Sequence, residues 1–225
     1  MRFEHTNVYG MQSAFRGMRN PMQSYDKSDS YIADKTFIIG DNDMKLARQL
    51  IESGPEHRKF MRQIFVSVDI TAPLYWWKEF DTYKVGTVAN STSTMHKLAS
   101  TPITRECFEI DDYDENLDYD GVRLGDKIDE HIAFLESMRV KYLETKDKAY
   151  WKELIRWLPE SWQQTRTVTM SYENLLAMCS KGQRRFHKLN EWSGTEHDSV
   201  PNFIGWARTL PYAQQLIFGD EIGKE

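Results

Sequence analysis

The chain has 225 residues, of which 40% are hydrophobic and 13% aromatic, so it can bury a sizeable core. Its formal net charge of −5 argues against a dedicated nucleic-acid-binding protein, because such proteins usually carry a basic domain. There is no run of about 18 apolar residues, and the first residues lack the apolar segment of a secretory signal peptide. We therefore expect a cytoplasmic protein that does not span a membrane.

Metal and disulfide chemistry are not expected. Cys107 and Cys179 lie far apart in sequence and form no Cys-x-x-Cys motif. The six histidines form no pair at i,i+3 or i,i+4 on one helix. Carboxylates crowd the segment from Glu106 to Asp120, but that segment lacks the spacing of an EF-hand loop. We predict no metal site.

The first half of the chain alternates between strand and helix patterns. Apolar residues at a period of two, rich in β-branched side chains, predict strands, and apolar residues at helical spacing predict helices. Gly54-Pro55 and Asn20-Pro21 are typical helix ends. The predicted elements are an edge strand at Phe3–Val8, a helix at Ser13–Met18, a helix at Asp43–Ser53, a strand at Ile64–Ile70 and a helix at Tyr75–Tyr83.

The second half begins with an acidic segment at 103–125, which we interpret as an exposed loop or insertion. Helical spacing of apolar residues then predicts two helices between Lys127 and Leu158, the second ended by Pro159. A strand at Arg166–Met170 and a helix at Tyr172–Cys179 follow. Together these elements predict an α/β (α+β) fold with a central mixed sheet flanked by helices, as a single domain over residues 1–225.

A polar, hydroxyl-rich segment directly follows the aromatic helix. Residues 82–97 read Thr-Tyr-Lys-Val-Gly-Thr-Val-Ala-Asn-Ser-Thr-Ser-Thr-Met-His-Lys. A rigid apolar element that carries a row of Ser, Thr and Asn side chains is a common way to position polar ligands. The same pattern is also typical of a capped loop on a solvated face, and composition alone favours that interpretation.

The order of the elements and several motifs resemble the flavin-dependent thymidylate synthase family, also called thymidylate synthase complementing proteins. Ser13-Ala14-Phe15-Arg16-Gly17-Met18-Arg19 resembles the family's Ser-Ala-x-Arg-x-x-Arg helix start. The strand at Ile64–Ile70, followed by Ala72-Pro73 and the aromatic helix, resembles the elements that lead into the family signature. The likeness is collinear along the chain, and it implies the fold of that family.

The family signature, Arg-His-Arg-x-x-Ser-x-Asn-Glu-x-Ser-x-Arg, falls without gaps on residues 82–94. Its first and third arginines, which offer planar forks to phosphate and flavin oxygens, are replaced here by the uncharged Thr82 and the point charge of Lys84. The resemblance implies that FAD is bound by Thr82, Tyr83, Lys84, Thr87 and, farther along the chain, Asn174.

The resemblance also implies a set of residues that bind the nucleotide substrate. Arg156-Trp157-Leu158-Pro159 is similar to the family's Arg-x-x-Leu-Pro, whose arginine holds the nucleotide phosphate. Glu79, which can only accept hydrogen bonds, replaces a glutamine near the nucleotide. In the hydroxyl row, by which we mean residues 90–93, Thr92 takes the second signature serine position, and a slip of one residue would put Ser93 there instead. The substrate-binding residues implied are Glu79, Asn90, Ser91, Thr92, Ser93, Arg156 and Gln183.

Two positions are implied to be catalytic. The family has an arginine that helps to ionise the pyrimidine N3, and spacing places it at Gln183, with Arg184 one residue beyond. Gln183 would compromise activation of the uracil ring, whereas a shift by one residue would bring in Arg184 and retain the electrostatic role. His57 falls where the family has a histidine beside the flavin, with Lys59 and Arg62-Gln63 in place of the neighbouring threonine and Glu-His.

The implied activity is methylation of dUMP to dTMP by an FAD enzyme that uses methylenetetrahydrofolate as carbon donor and NADPH as reductant. The family assembles its active site across subunits, so a homotetramer is implied as well. Two alternatives stay open, because the forked arginines are replaced while the hydroxyl row is retained. One is a nucleotide-binding or interaction module without methyl transfer. The other is a related enzyme such as a pyrimidine nucleotide hydroxymethylase.

Overall fold

The computed structural model of the chain describes residues 1–179, 187–194 and 201–219. Gln183 and Arg184, the two alternatives for the pyrimidine-activating position, lie outside the described residues.

Strands and helices alternate through much of the chain. The strands are β1 (Arg2–Tyr9), β2 (Tyr31–Ala33), β3 (Thr36–Ile38), β4 (Phe65–Pro73), β5 (Val88–Ser91), β6 (Asp118–Tyr119), β7 (Val122–Arg123) and β8 (Gln163–Ser171). The α-helices are α1 (Met11–Met18), α2 (Asp41–Glu52), α3 (Leu74–Phe80), α4 (Thr94–Lys97), α5 (Leu124–Thr145), α6 (Lys148–Arg156), α7 (Tyr172–Cys179), α8 (Asn190–Ser193) and α9 (Phe203–Arg208). Short 3₁₀ turns lie at Asn20–Met22, Tyr25–Lys27, Lys59–Gln63, Asp81–Tyr83, Leu98–Ser100 and Arg105–Cys107, and a π-helix lies at Gln214–Phe218.

The main sheet has four strands in the order β1, β4, β8, β5. Strand β1 therefore lies at an edge, as the sequence predicts. Strand β4 forms because apolar β-branched residues alternate with polar ones: Val66, Val68 and Ile70 are fully buried, whereas Ser67 and Asp69 are partly exposed. These observations confirm the α/β class.

Two short hairpins lie outside the main sheet. In the first, β2 pairs antiparallel with β3, and the turn residues Asp34 and Lys35 both have positive φ (46° and 66°). In the second, β6 pairs with β7 around Asp120-Gly121, also with positive φ (52° and 80°). Two consecutive positive φ values are typical of the tight turns that match the twist of a hairpin. The acidic segment at 103–125 thus contains a hairpin where the sequence alone predicts a loop.

The described chain forms two compact units. The first comprises Met1, Thr71–Glu79 and Asn90–Arg166, and the second comprises Arg2–Ile70, Phe80–Ala89 and the part of the chain from Thr167 onward. The expectation of a single domain over residues 1–225 stays a prediction, as does the interpretation of residues 103–125 as an insertion.

The first unit is built around the helix pair α5 and α6, which pack against each other. Their apolar faces bury Leu135 and Leu154 completely, together with Leu98, Ile103 and Phe108 from the preceding segment. Phe108 also packs edge-to-face against Trp162, with ring centroids 5.5 Å apart. Burial of these side chains is the main stabilising contribution in this unit.

The second unit has an aromatic core. The rings of Phe15 and Phe60 pack edge-to-face at 5.7 Å, and Trp192 lies 5.0 Å from Phe203. The hydroxyl group of the buried Tyr172 donates to the Pro211 carbonyl at 2.7 Å, which satisfies its polar end inside the core. No helix among the described residues is both long and apolar enough to cross a membrane.

A buried ion pair in the second unit joins α1 to α2. Arg19 and Asp43 are 4% and 1% exposed, and Arg19 Nε lies 2.5 Å from Asp43 Oδ1. The other Asp43 oxygen accepts from the hydroxyl groups of Ser28 and Ser30 and from the Ser30 amide. Burial by itself raises the pKa of Asp43, but the hydrogen bonds from Ser28, Ser30 and Arg19 outweigh it and hold this pKa below its usual value.

We predict that Asp43→Asn lowers the free energy of unfolding by roughly 3–5 kcal/mol, because it leaves the Arg19 guanidinium buried without a counter-charge. The lowered pKa of Asp43 in the folded state means that its ionic contribution is present above the unfolded-state pKa of about 3.9. That contribution is lost as the pH falls through the folded-state pKa. The difference between the two proteins should therefore narrow below about pH 4.

Urea unfolding of both proteins at neutral and at acidic pH measures this effect. Asp26→Asn, at an exposed aspartate in the Tyr25–Lys27 turn, is the control and should change stability by less than about 0.5 kcal/mol. Equal stability of Asp43→Asn and the unmodified protein at neutral pH would contradict the assigned role of this ion pair.

Candidate functional site

The residues assigned to FAD by resemblance all lie in the second unit. Four of them, Thr82, Tyr83, Lys84 and Thr87, belong to one loop, which starts as the 3₁₀ turn Asp81–Tyr83. Thr82 and Lys84 are exposed and Tyr83 is half-buried, with its ring 5.7 Å from that of the buried Trp192. Tyr83 therefore anchors the loop to the aromatic core, while Thr82 and Lys84 are accessible to a ligand.

Asn174 on α7 stabilises the same loop through a hydrogen bond. Its Nδ2 donates to the Val85 carbonyl at 2.8 Å, and its Oδ1 accepts from the amide and hydroxyl groups of Ser171 at 3.0 and 2.7 Å. Gly86 has φ +79°, a conformation that glycine adopts without strain, and a Cβ there would lie 3.5 Å from the Asn174 amide. The structure thus brings Asn174 together with the loop that carries Lys84 and Thr87.

His57 lies at a separate place in the second unit, on the rim of a cavity of about 450 Å³. The cavity is enclosed by the end of α1 and the turn after it, by α2 and by the 3₁₀ turn Lys59–Gln63. Its lining is Gly17, Met18, Asn20, Pro21, Met22, Ser24, Leu46, Leu50, Glu56, His57, Lys59, Phe60 and Gln63. This volume lies within the range of small-molecule sites, roughly 300–1,000 Å³.

The residues assigned to the nucleotide lie in the first unit. Asn90, Ser91 and Thr92 have exposed side chains at the end of β5, and Ser93 is half-buried. The Ser93 hydroxyl accepts from the His96 amide at 3.1 Å and so caps α4. Of the two alternatives for the second signature serine, Ser93 already has a structural hydrogen bond, whereas the Thr92 side chain is exposed.

Arg156 is the last residue of α6, and its guanidinium forms an ion pair with Glu153, one turn earlier. The Arg156 side chain is 56% exposed. Trp151, on the same helix, donates from Nε1 to the Met95 carbonyl at 3.2 Å. Helix α6 therefore contacts α4, the helix that directly follows the hydroxyl row. Glu79 is half-buried near the end of α3.

Gln164 is a polar residue that the sequence interpretation missed. It is 9% exposed, and its Nε2 donates to the Thr92 carbonyl at 2.9 Å while its Oε1 accepts from Arg166 Nε at 3.0 Å. The guanidinium of Arg166 stacks over the Trp77 ring at 4.2 Å, and Trp77 Nε1 donates to the Gln164 carbonyl at 2.9 Å. Gln164 thus fixes the backbone of the hydroxyl row. Gln164 shares the period-two face of β8 with Arg166 and with the buried Val168 and Met170, so the sequence pattern alone does not single it out.

We predict that Asn174→Asp loosens the loop without unfolding α7. A carboxylate can still accept from Ser171, but it cannot donate to the Val85 carbonyl, and it repels that oxygen. Loss of about 1 kcal/mol of local stabilisation corresponds to exchange of the loop amides that is roughly fivefold faster. Hydrogen-exchange mass spectrometry of a peptide that covers 84–87 measures this change. Asn116→Asp, at an exposed asparagine, is the control, and unchanged exchange in Asn174→Asp would refute the prediction.

Comparisons with known proteins are informative only at the level of structure. No protein-family profile matches the sequence. No curated protein matches it either.

Among solved structures, a flavin-dependent thymidylate synthase from Helicobacter pylori, complexed with FAD and dUMP, superposes with a TM-score of 0.56 at 16% identity, covering 81% of this chain and 86% of that one. A second structure of the Helicobacter pylori enzyme with FAD and dUMP gives a TM-score of 0.51 at 15% identity, with 77% and 78% covered. The UMP/dUMP methylase PolB of Streptomyces cacaoi, bound with 5-Br UMP, gives 0.52 at 14% identity, with 79% and 74% covered. The chain therefore has the fold of the flavin-dependent thymidylate synthases.

Proposed function

We propose that the protein is a flavin-dependent enzyme that modifies a pyrimidine nucleotide, methylating dUMP to dTMP with methylenetetrahydrofolate as carbon donor and NADPH as reductant. The observation that carries this proposal is the division of the implied residues between the two units. Every described residue assigned to FAD, and His57, lies in the second unit, and every described residue assigned to the nucleotide lies in the first. Such a division is expected when each compact unit supplies the binding residues for one ligand.

The cavity beside His57 supports the cofactor part of the proposal. Its walls are mainly apolar, with Met18, Leu46, Leu50 and Phe60 among them, and a planar ring system requires such a surface. FAD would supply the redox chemistry when bound, and the residues of this chain would bind and orient it. Lys84 and Thr87 would bind polar atoms of the cofactor, held in place by the Asn174 hydrogen bond to their loop.

The hydroxyl row and Arg156 support the nucleotide part. Asn90, Ser91 and Thr92 expose amide and hydroxyl groups that can both donate and accept hydrogen bonds, as recognition of a pyrimidine or a sugar requires. Arg156 would exchange its contact with Glu153 for the nucleotide phosphate, to which a guanidinium can donate two parallel hydrogen bonds. The solved structures of similar fold bind dUMP or 5-Br UMP, which agrees with this class of substrate.

A homotetramer is part of the proposal, since the family that the sequence resembles assembles its site across subunits. The molecular mass in solution from light scattering tests it: about four times 26.5 kDa supports a tetramer, and a monomeric mass argues against it.

A second candidate is a nucleotide-binding or interaction module that has the same fold but carries out no methyl transfer. The replacement of two forked arginines by Thr82 and Lys84 favours this candidate, because both side chains are exposed where the family binds flavin oxygens. In that case the first unit would bind nucleotide and the second would retain no flavin.

We predict that the purified protein, incubated with FAD and desalted, retains the visible absorbance of a bound flavin, and that this spectrum shifts on addition of dUMP. A flavin ring moved from water into an apolar cavity changes its environment, and binding of dUMP to the protein is expected to change it again. A retained and shifted spectrum justifies an assay for methyl transfer. Absence of flavin both with and without dUMP would reject the enzyme and favour the binding module.

We also predict that Arg156→Ala weakens dUMP binding by roughly 10-fold or more, because a charge-assisted hydrogen bond is lost. Isothermal titration calorimetry with dUMP measures the change. Arg123→Ala is a matched control, since Arg123 is also exposed and forms an i,i+3 ion pair, with Asp126. An Arg156→Ala protein that folds normally and binds dUMP with unchanged affinity would remove Arg156 from the site.

A further inference from the structure

The cavity beside His57 has two kinds of surface. The apolar part comes from Met18 on α1, Leu46 and Leu50 on α2, and Phe60 in the 3₁₀ turn Lys59–Gln63. Met18 and Phe60 are 7% and 4% exposed, so they form the inner wall. The charged and titratable part of the lining consists of Glu56, His57 and Lys59, all exposed at the rim. The cavity thus suits a ligand with an apolar body and a polar end.

Three basic side chains on the segments that border this cavity have partners. Arg58 donates from Nε to both carboxylate oxygens of Glu173 at 3.0 Å, and Arg62 donates to the Pro55 carbonyl at 3.3 Å. Arg19 is paired with the buried Asp43. Lys59, by contrast, forms no ion pair with any residue in 1–179, 187–194 or 201–219. It is therefore the cation of the cavity lining that is available for a ligand.

We propose that Lys59 binds the phosphate of a nucleotide-type ligand whose ring lies against Met18, Leu46, Leu50 and Phe60. An ammonium group is a compact point charge with three donors, which suits a phosphate held at a flexible rim. Glu56 faces the same rim and repels a phosphate, so it contributes to binding only through ligand groups that donate, such as ribose or ribityl hydroxyls. The part of this inference that concerns the ring rests on the proposed function. The contact between Lys59 and a phosphate does not depend on it.

The test compares ligands that differ only in a phosphate. Binding of riboflavin and FMN, and of uridine and UMP, is measured by titration calorimetry for the unmodified protein and for Lys59→Gln. We expect Lys59→Gln to bind FMN roughly 10–100-fold more weakly and riboflavin unchanged. The same pattern for UMP and uridine is expected only if this cavity, and not the site of Arg156, binds the pyrimidine nucleotide. The pair that responds identifies whether the phosphate belongs to a flavin or to a pyrimidine nucleotide.

Three further variants make the test specific. Lys59→Arg retains the charge and should keep most of the preference for the phosphorylated ligand. Glu56→Gln removes the repulsion and should leave that preference unchanged or raise it. Lys27→Gln, at an exposed lysine outside the cavity lining, should have no effect. The proposal would be overturned if Lys59→Gln lost the same affinity for the phosphorylated ligand and for its counterpart without phosphate. It would also be overturned if Lys59→Gln lost no affinity for either ligand.

Inorganic pyrophosphate, tested by thermal shift, separates this inference from the proposed function. If the protein retains no flavin but pyrophosphate stabilises it and not Lys59→Gln, the anion site stands and the enzymatic proposal fails. If flavin is bound but the phosphate preference does not depend on Lys59, the function stands and this inference fails. Binding of none of these ligands, including pyrophosphate, by the unmodified protein would overturn both.

Discussion

The buried ion pair between Arg19 and Asp43 is the interaction on which the candidate cavity depends. Besides Asp43, Arg19 donates from Nη1 to the Ser24 carbonyl at 3.2 Å, and Asp43 holds Ser28 and Ser30. These contacts fix the end of α1, the chain from 20 to 30 and the start of α2 relative to one another. The end of α1, the chain that follows it and the body of α2 provide Met18, Asn20, Ser24, Leu46 and Leu50 to the cavity wall. A charge pair taken out of water is costly, so it persists only where its geometry is well satisfied.

Side-chain amides have the corresponding role at the two polar segments. In the second unit, Asn174 holds the Val85 carbonyl and thereby the loop that carries Lys84. In the first, Gln164 holds the Thr92 carbonyl and the Arg166 guanidinium. An amide suits this position because it donates and accepts at the same time, so one buried side chain can tie a strand to a loop. In both cases the exposed residues that would bind ligand are supported by a partly or fully buried residue behind them.

The sequence predicted regular elements well where hydrophobic periodicity was strong. The helix Tyr172–Cys179 has the predicted bounds, and the alternation of Val66, Val68 and Ile70 located β4. It missed the hairpin of β2 and β3, because the turn there is Asp34-Lys35 and lacks the Asn-Gly or Asp-Gly pair that marks such turns. The Asp120-Gly121 turn does carry that pair, but the surrounding carboxylates favoured a loop interpretation.

The candidate site was less predictable than the fold. Resemblance selected Thr82–Lys84, Asn90–Ser93 and Arg156 from their order along the chain, and their roles stay predictions. It could not reveal that Gln164 supports the hydroxyl row, that the Asn174 amide bonds to Val85, or that Lys59 lines a cavity. Each of these depends on contacts between segments distant in sequence, and no local pattern encodes them.

The most direct test of the central claim is amide hydrogen exchange of the whole protein with and without FAD and dUMP. The account predicts that FAD slows exchange in the segments that enclose the cavity, 17–24, 46–50 and 56–63, and in the 82–87 loop. It predicts that dUMP slows exchange at 90–93. Binding of both ligands with no protection in any of these segments would contradict the assignment of the cavity and of the hydroxyl row.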